Sequence, residues 1–189
     1  MSRPRSEGKR KAILDAALQV FAEHGIANAP TSAISKAAGV AEGTLFTYFK
    51  TKDELMVELY RELRMEFSRH LTDFPHGESA RSRLRYIWDQ YLKLGAAHPE
   101  QLKVLSQLRS SGKLFKENET PAPAFAEVMK ATHDAVQGNE LEDGPPEYLV
   151  LMMRAQAEMT IEYILAHPEN AEMCRELGFK MVWSALTGK

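Results

Sequence analysis

The sequence predicts an all-α protein of about nine helices. Apolar residues recur at helical spacing in nearly every segment, Gly- and Pro-containing breakers separate those segments, and no stretch alternates at period two between hairpin turns. Of 189 residues, 44% are apolar and 26% charged, the balance of a chain with a core to bury rather than a disordered one. No repeat of fixed period and no long low-complexity tract is present.

The first helix is expected over Lys9–His24, where Ile13, Leu14, Ala17, Val20 and Phe21 form one apolar stripe and Gly25 ends it. Thr31 or Ser32 can cap a short second helix through Ala38, which Gly39 breaks; a third runs from about Glu42 to Phe49. Thr51-Lys52-Asp53-Glu54 reads as a capping box, the Thr51 hydroxyl accepting from the Glu54 amide and the Glu54 carboxylate from the Thr51 amide. It opens a fourth helix, Lys52 to about Thr72, with Leu55, Leu59, Leu63 and Phe67 in line. Beyond the breaker Phe74–Gly77 a fifth helix spans about Ser79–Ala97, and Pro99 starts a sixth that reaches about Phe115. A loop at Thr120–Pro123 precedes a seventh helix ending near Gln137, and a second loop covers 138–146. Glu147–His167 and Ala171–Leu186, parted by Pro168, close the chain. Two domains are expected, 1–67 and 68–189.

Charge divides the chain unevenly. Residues 1–50 carry seven Lys/Arg against four acids, a net of +3, and the remainder carries −5, for −2 in all. A basic front on an acidic body points to an anionic partner for the front, or to a solvated basic tail. The single cysteine, Cys174, excludes an intramolecular disulfide and a thiolate metal cage, and suits a reducing compartment. The longest apolar run, Tyr148–Met153, is six residues, far short of the roughly 20 a membrane helix needs. The N-terminus lacks the apolar stretch of a signal peptide. The expectation is a soluble, cytoplasmic protein without a membrane partner.

Function concentrates in residues 31–50: a short helix, a glycine turn and a second short helix, with small facing residues Ile34, Ala37, Ala38, Val40 and Leu45. That is a helix-turn-helix, whose second helix is narrow enough for the major groove of DNA. Gly43-Thr44 keeps bulk low at the start of that helix, and its N-terminal amides favour phosphate. Thr47, Tyr48, Lys50 and Lys52 follow, residue types that contact phosphates and, for Thr, base edges.

Gly25, Thr31-Ser32, Ile34, Ala37-Ala38-Gly39-Val40 and the run Gly43 to Leu55 together resemble the DNA-binding domain of the TetR family of bacterial transcription regulators over about residues 9–67. The resemblance implies an all-helical regulatory and dimerisation domain behind it, a homodimer on a near-palindromic double-stranded DNA operator, and repression released by a small apolar effector. Carried onto this chain, it implies that Thr31 and Ser32 cap the second helix and touch phosphate, that Gly43, Thr44 and Thr47 sit at the groove, that Tyr48 gives its hydroxyl to phosphate, and that Lys50 and Lys52 grip the flanking strand. Phe46 stands equally as core or as a thymine-methyl contact, Glu42 as a solvated acid or an acceptor for cytosine, and Phe49 as core. Arg3, Arg5 and Lys9 are candidates for a minor-groove arm or a solvated tail. The sequence departs from the family twice: Ala41 stands where a capping Ser or Thr is usual, and Phe46 where Tyr is frequent.

Other function classes have little support. None of the six histidines follows a glutamate by three residues, so the di-metal helix motif is absent, and no glycine-rich nucleotide loop occurs. Neither enzyme activity, a cofactor nor a metal is expected. A helical adaptor or scaffold is the rival reading, but it leaves the glycine–threonine–aromatic segment without a role. Behind the front domain, Trp88, Tyr91, Met129, Met152, Met153 and Tyr163 are candidates for an adaptable apolar pocket or for plain core. The Glu147–His167 helix is apolar around most of its circumference, so it is expected to be buried on two sides. With small residues on the last helix, Met153, Ala157, Ile164, Cys174, Gly178, Met181 and Ala185 are the candidate dimer interface; a helix central to its own monomer is the alternative.

Overall fold

The computed structural model describes residues 6–71, 73–112 and 123–188. Among them are nine α-helices and one 3₁₀ turn: α1 (Glu7–His24), α2 (Thr31–Ala37), α3 (Glu42–Tyr48), α4 (Lys52–Arg69), α5 (Ala80–Ala97), α6 (Pro99–Ser110), α7 (Pro123–Gln137), α8 (Pro146–Ala166), the turn Pro168–Asn170, and α9 (Ala171–Thr187). No strand occurs among the described residues. None of their helices is long and apolar enough to cross a membrane. The expected minor-groove residues Arg3 and Arg5 and the loop residues Thr120–Ala122 lie outside the described residues.

Two compact units form, Met1–Met65 with Pro99–Thr120, and Glu66–His98 with Pro121–Lys189. The first departure from a simple cut at 67 is therefore α6, which packs with the N-terminal helices. Its apolar face, Val104, Leu105 and Leu108, joins the core made by Ile13, Leu14 and Phe21 of α1, Ile34 of α2, Leu45 of α3 and Leu55 and Leu59 of α4. Lys103 Nζ also donates to the Ala22 carbonyl at 2.8 Å, fastening α6 to the end of α1. Four short or amphipathic helices hold too little apolar surface to close a core alone, so a returning helix completes it.

Local chemistry explains the ends. The Gly25 amide makes the last helical bond of α1, to the Phe21 carbonyl at 2.9 Å, and Gly25 then turns out of the helix at φ 75° and ψ 154°. Gly39 turns at φ 66°, a left-handed conformation that a side chain would strain, and redirects the chain from α2 into α3. The second helix is not capped by Thr31 or Ser32. Pro30 occupies that position and Thr31 is the first helical residue, because Pro supplies an extended φ,ψ and needs no donor. Ala41 caps α3 in position only, at φ −66° and ψ 147°, with no side-chain bond. Half of the expected capping box is present: the Glu54 amide donates to Thr51 Oγ1 at 3.0 Å, but the Glu54 carboxylate accepts from the Lys50 amide at 2.8 Å. The Glu54 side chain reaches one residue further back and so ties the α3–α4 turn. Helix α4 stops at Arg69 rather than Thr72, and α6 at Ser110 rather than Phe115.

The second unit is built on Trp88, which is 1% exposed and donates Nε1–H to the Arg175 carbonyl at 3.0 Å. Phe179 of α9 packs beside it with ring centroids 6.3 Å apart, and the unit also buries Leu84 and Ile87 of α5, Met153, Ala157 and Ile161 of α8, and Val182 of α9. Gly178 lies against the Trp88 ring so closely that a Cβ would sit 2.7 Å from its Cζ2. Beside this core Arg85 of α5 pairs bidentately with Glu176 of α9, while Asp89 accepts from Arg85 Nε at 2.9 Å and Arg175 Nε at 2.8 Å.

This packing revises the expected interface. Met153, Ala157 and Gly178 face the unit's own interior. Ile164 and Cys174 are half-buried, and Met181 and Ala185 are exposed. The unpartnered apolar surface instead follows Tyr148, Leu151, Met152, Met159 and Tyr163 on α8 and Met173, Leu177 and Met181 on α9, each between 47% and 62% exposed. Helical phase explains the error: Met152 and Met153 are adjacent in sequence but point about 100° apart, and only packing settles which one faces in.

Candidate nucleic-acid interface

The candidate face is built from α2, the Gly39 turn and α3. Leu45 and Phe49, 0% and 2% exposed, plug α3 into the core of the first unit. That leaves the opposite face of α3 outward, with Glu42, Gly43, Phe46 and Thr47 exposed and Thr44 and Tyr48 half-buried. Phe46, at 41% exposure, is on the surface and not in the core. Gly43 has no packing reason of its own, since a Cβ there would meet nothing within 4 Å. Lys50 follows α3, and Ser32 and Lys36 share one exposed face of α2 at i, i+4.

Several of these side chains are engaged inside the unit. Thr31 Oγ1 donates to Glu42 Oε1 at 3.0 Å, joining the first residues of α2 and α3. Thr47 Oγ1 donates back to the Gly43 carbonyl at 2.9 Å. Tyr48 Oη accepts from the Ser6 amide at 2.8 Å, which leaves its own proton to donate outward. Lys52 departs furthest from expectation. Its ammonium turns inward, donates to the carbonyls of Ile26 and Ala29 at 2.6 Å each and lies 5.8 Å from the Phe21 ring centroid. The reason is geometric: it stands on the first turn of α4, directly against the α1–α2 loop whose carbonyls have left the helix ladder and need a donor. Lys36 and Ser6 were not singled out from the sequence. Lys36 shows only as one basic residue four places after Ser32, and the Ser6 amide carries no side-chain signal at all.

The residues expected to line a pocket in the second unit differ in burial. Trp88 and Met153 are core, Tyr91 donates its hydroxyl to Glu158 Oε1 at 2.8 Å, Met129 is half-buried, and Met152 and Tyr163 are exposed. An open cleft of about 310 Å³ runs instead along Asp89, Gln90, Leu92, Lys93, Ile164, Ala171, Glu172 and Arg175, sharing none of them. Burial pushes the Asp89 carboxyl up, but the hydrogen bonds from Arg175 and Arg85 outweigh it and hold it below its ordinary value. Arg85 is raised in turn by its bond to Glu176.

Residues 13–59 match the family model described as bacterial regulatory proteins, tetR family. This N-terminal quarter of the chain is similar to the DNA-binding domain of the TetR family. The matched residues run from the core of α1 to Leu59 of α4 and contain the whole helix-turn-helix. Among curated relatives, the fatty acid metabolism regulator protein of Bacillus subtilis (strain 168) is 33% identical over 97 residues, 51% of this chain. That match spans half, 50%, of the relative's own length. The TetR fold extends over nearly the whole chain: a TetR family transcription regulator from Marinobacter aquaeolei VT8 superposes with a TM-score of 0.79, covering 98% of both chains at 24% identity. The regulator FadR from Bacillus subtilis in complex with stearoyl-CoA superposes at 0.65, covering 93% of this chain and 98% of that one at 21% identity.

Proposed function

We propose that this chain is a TetR-family member, a DNA-binding transcriptional repressor that acts as a homodimer in the cytoplasm, with α3 in the major groove of a palindromic operator. The observation that carries the reading is the outward face of α3, where Gly43, Phe46 and Thr47 are exposed together on a helix anchored from behind by Leu45 and Phe49. Ser32, Thr44 and Tyr48 offer hydroxyls to the backbone, and Lys36 and Lys50, whose ammonium groups have no partner among the described residues, flank them. Thr31 and Lys52 act by holding Glu42 and the α1–α2 loop.

The exposed apolar residues of α8 and α9 form the dimer surface in this reading, a face too apolar to stand in water as a monomer. The chain works by binding, without catalysis or cofactor; its sequence holds no nucleotide loop and no Glu-x-x-His pair. The relatives suggest the effector class. A fatty acid metabolism regulator is among the curated relatives, and a regulator FadR of the same fold is solved in complex with stearoyl-CoA, so a long-chain acyl thioester is the first effector to test.

An electrophoretic shift with DNA from upstream of the protein's own gene tests the reading. Retention of that duplex at nanomolar protein, weakened by added salt and by stearoyl-CoA, is the expected result. Equal retention of any duplex, or of none, overturns operator recognition. Retention unaffected by acyl thioesters removes that effector class alone.

A further inference from the structure

The exposed face of α3 limits which bases it can read. Its seven residues, Glu42 to Tyr48, include no Arg, Lys, Asn or Gln. Those are the side chains that make paired hydrogen bonds to guanine and adenine in the major groove. What the helix presents instead is one carboxylate and two apolar groups. Glu42 is exposed, and its Oε1 is held by the Thr31 hydroxyl at 3.0 Å, which fixes the carboxylate in place. Phe46 lies one turn further along the same face, at i+4, with 41% of its surface open. Thr47 spends its hydroxyl proton on the Gly43 carbonyl, so it offers a methyl group and a lone pair. The two remaining hydroxyls, Thr44 and Tyr48, are half-buried.

Resting on the DNA-binding reading above, we propose that α3 selects pyrimidines: Glu42 accepts from the exocyclic amine of a cytosine, and Phe46 and the Thr47 methyl pack against thymine methyl groups. A carboxylate is repelled by the N7 and O6 acceptors of guanine and by thymine O4. Adenine offers an amine, but its N7 acceptor lies beside it and faces the second carboxylate oxygen; cytosine offers the amine alone. An aromatic edge and a methyl gain nothing from guanine or adenine edges and bury the 5-methyl of thymine. Thr31 is a positioning residue for Glu42, and Glu42, Phe46 and Thr47 determine specificity.

Selection of the full-length protein on a duplex library with a randomised core, followed by base-analogue substitution in the selected site, tests this. Each half-site should contain a C·G pair and neighbouring thymines. Replacing a contacted thymine by uracil, which removes one methyl, should lower affinity about 4-fold. That loss should vanish in Phe46→Ala or Thr47→Ser. Replacing the guanine of the C·G pair by 7-deazaguanine should change nothing. Glu42→Gln should re-select adenine at the cytosine position, since Gln pairs with its amine and N7. Thr31→Val should weaken the preference for C·G at that one position and leave sensitivity to uracil intact. Loss of affinity with 7-deazaguanine but not with uracil, or an unchanged site for Glu42→Gln, overturns the pyrimidine reading while DNA binding stands. Failure to enrich any duplex overturns the DNA-binding reading and this inference with it.

Discussion

Lys50 and Lys52 are two residues apart and have opposite surroundings, which makes them separable by experiment. Lys50 is exposed with its ammonium unpaired among the described residues, so Lys50→Ala should leave the melting temperature within about a degree while reducing the slope of log affinity against log salt. Lys52 satisfies the loop carbonyls of Ile26 and Ala29, with its ammonium over the Phe21 ring. Lys52→Met should cost about 2 kcal/mol in denaturant unfolding, the range for hydrogen bonds to a charged donor, with the salt slope of the refolded protein unchanged. An unaltered stability and a shallower salt slope for Lys52→Met would return that lysine to the phosphate-binding set. Gly178 is a third residue whose role follows from one distance. Alanine there gains helix propensity of about 1 kcal/mol, but its Cβ would stand 2.7 Å from Trp88 Cζ2. Overpacking of a buried indole costs about 1–3 kcal/mol and wins, so Gly178→Ala should lower the unfolding free energy.

At the scale of elements, α3 is a seven-residue helix with no side-chain cap, anchored by Leu45 within it and by Phe49 just after it. Isolated helices of that length do not persist in water, so tertiary packing supplies most of its stability. Ala41 already has the extended backbone of a cap, and a serine hydroxyl there can accept an α3 amide without rearrangement. Ala41→Ser should therefore stabilise the protein by about 1 kcal/mol, read as a higher melting temperature. Between α5 and α9 the ion cluster of Arg85, Asp89, Arg175 and Glu176 gives acid sensitivity with a definite sign. The folded state holds the Asp89 carboxyl below its ordinary value. Its contribution is thus complete above the ordinary carboxyl range near pH 4 and is lost as the pH falls through the lower folded value. Asp89→Asn should be less stable than the parent at neutral pH, and the gap should close as the pH falls below about 4 in acid titrations followed by circular dichroism.

At the scale of the whole molecule, the exposed apolar rows on α8 and α9 are the dimer surface in the proposed reading. Met159→Glu or Leu177→Glu places a charge on an exposed position, so each should fold normally, sediment as a monomer and lose high-affinity operator binding, because two half-sites are then no longer held in register. The wild-type chain should sediment at twice its own mass. Gly178→Glu has a different expected outcome: the side chain meets Trp88, and the protein should unfold rather than dissociate. Monomeric wild type at micromolar concentration, or dimeric Met159→Glu, would remove these rows from the interface.

Periodicity by itself determined the helices. The stripe Ile13, Leu14, Ala17, Val20 and Phe21 and the breakers Gly25, Gly39 and Pro99 mark segments whose interiors agree with the structure, since a 3.6-residue repeat and a residue unable to continue a helix are local properties. The helix-turn-helix was legible for the same reason: its turn, its small facing residues and its spacing all lie within twenty consecutive positions. Three things waited for the tertiary structure. Which side of α8 faces inward depends on neighbours distant in sequence, so Met153 and Ala157 became core and Met152 and Met159 surface. The return of α6 to the N-terminal unit is a contact between Val104 and Leu108 and a core that begins ninety residues earlier, which no local pattern encodes. The destination of a long polar side chain is decided by whichever unsatisfied group lies within its reach. Two loop carbonyls drew Lys52 inward, and the Thr31 hydroxyl bonds Glu42 at the edge of the exposed face of α3.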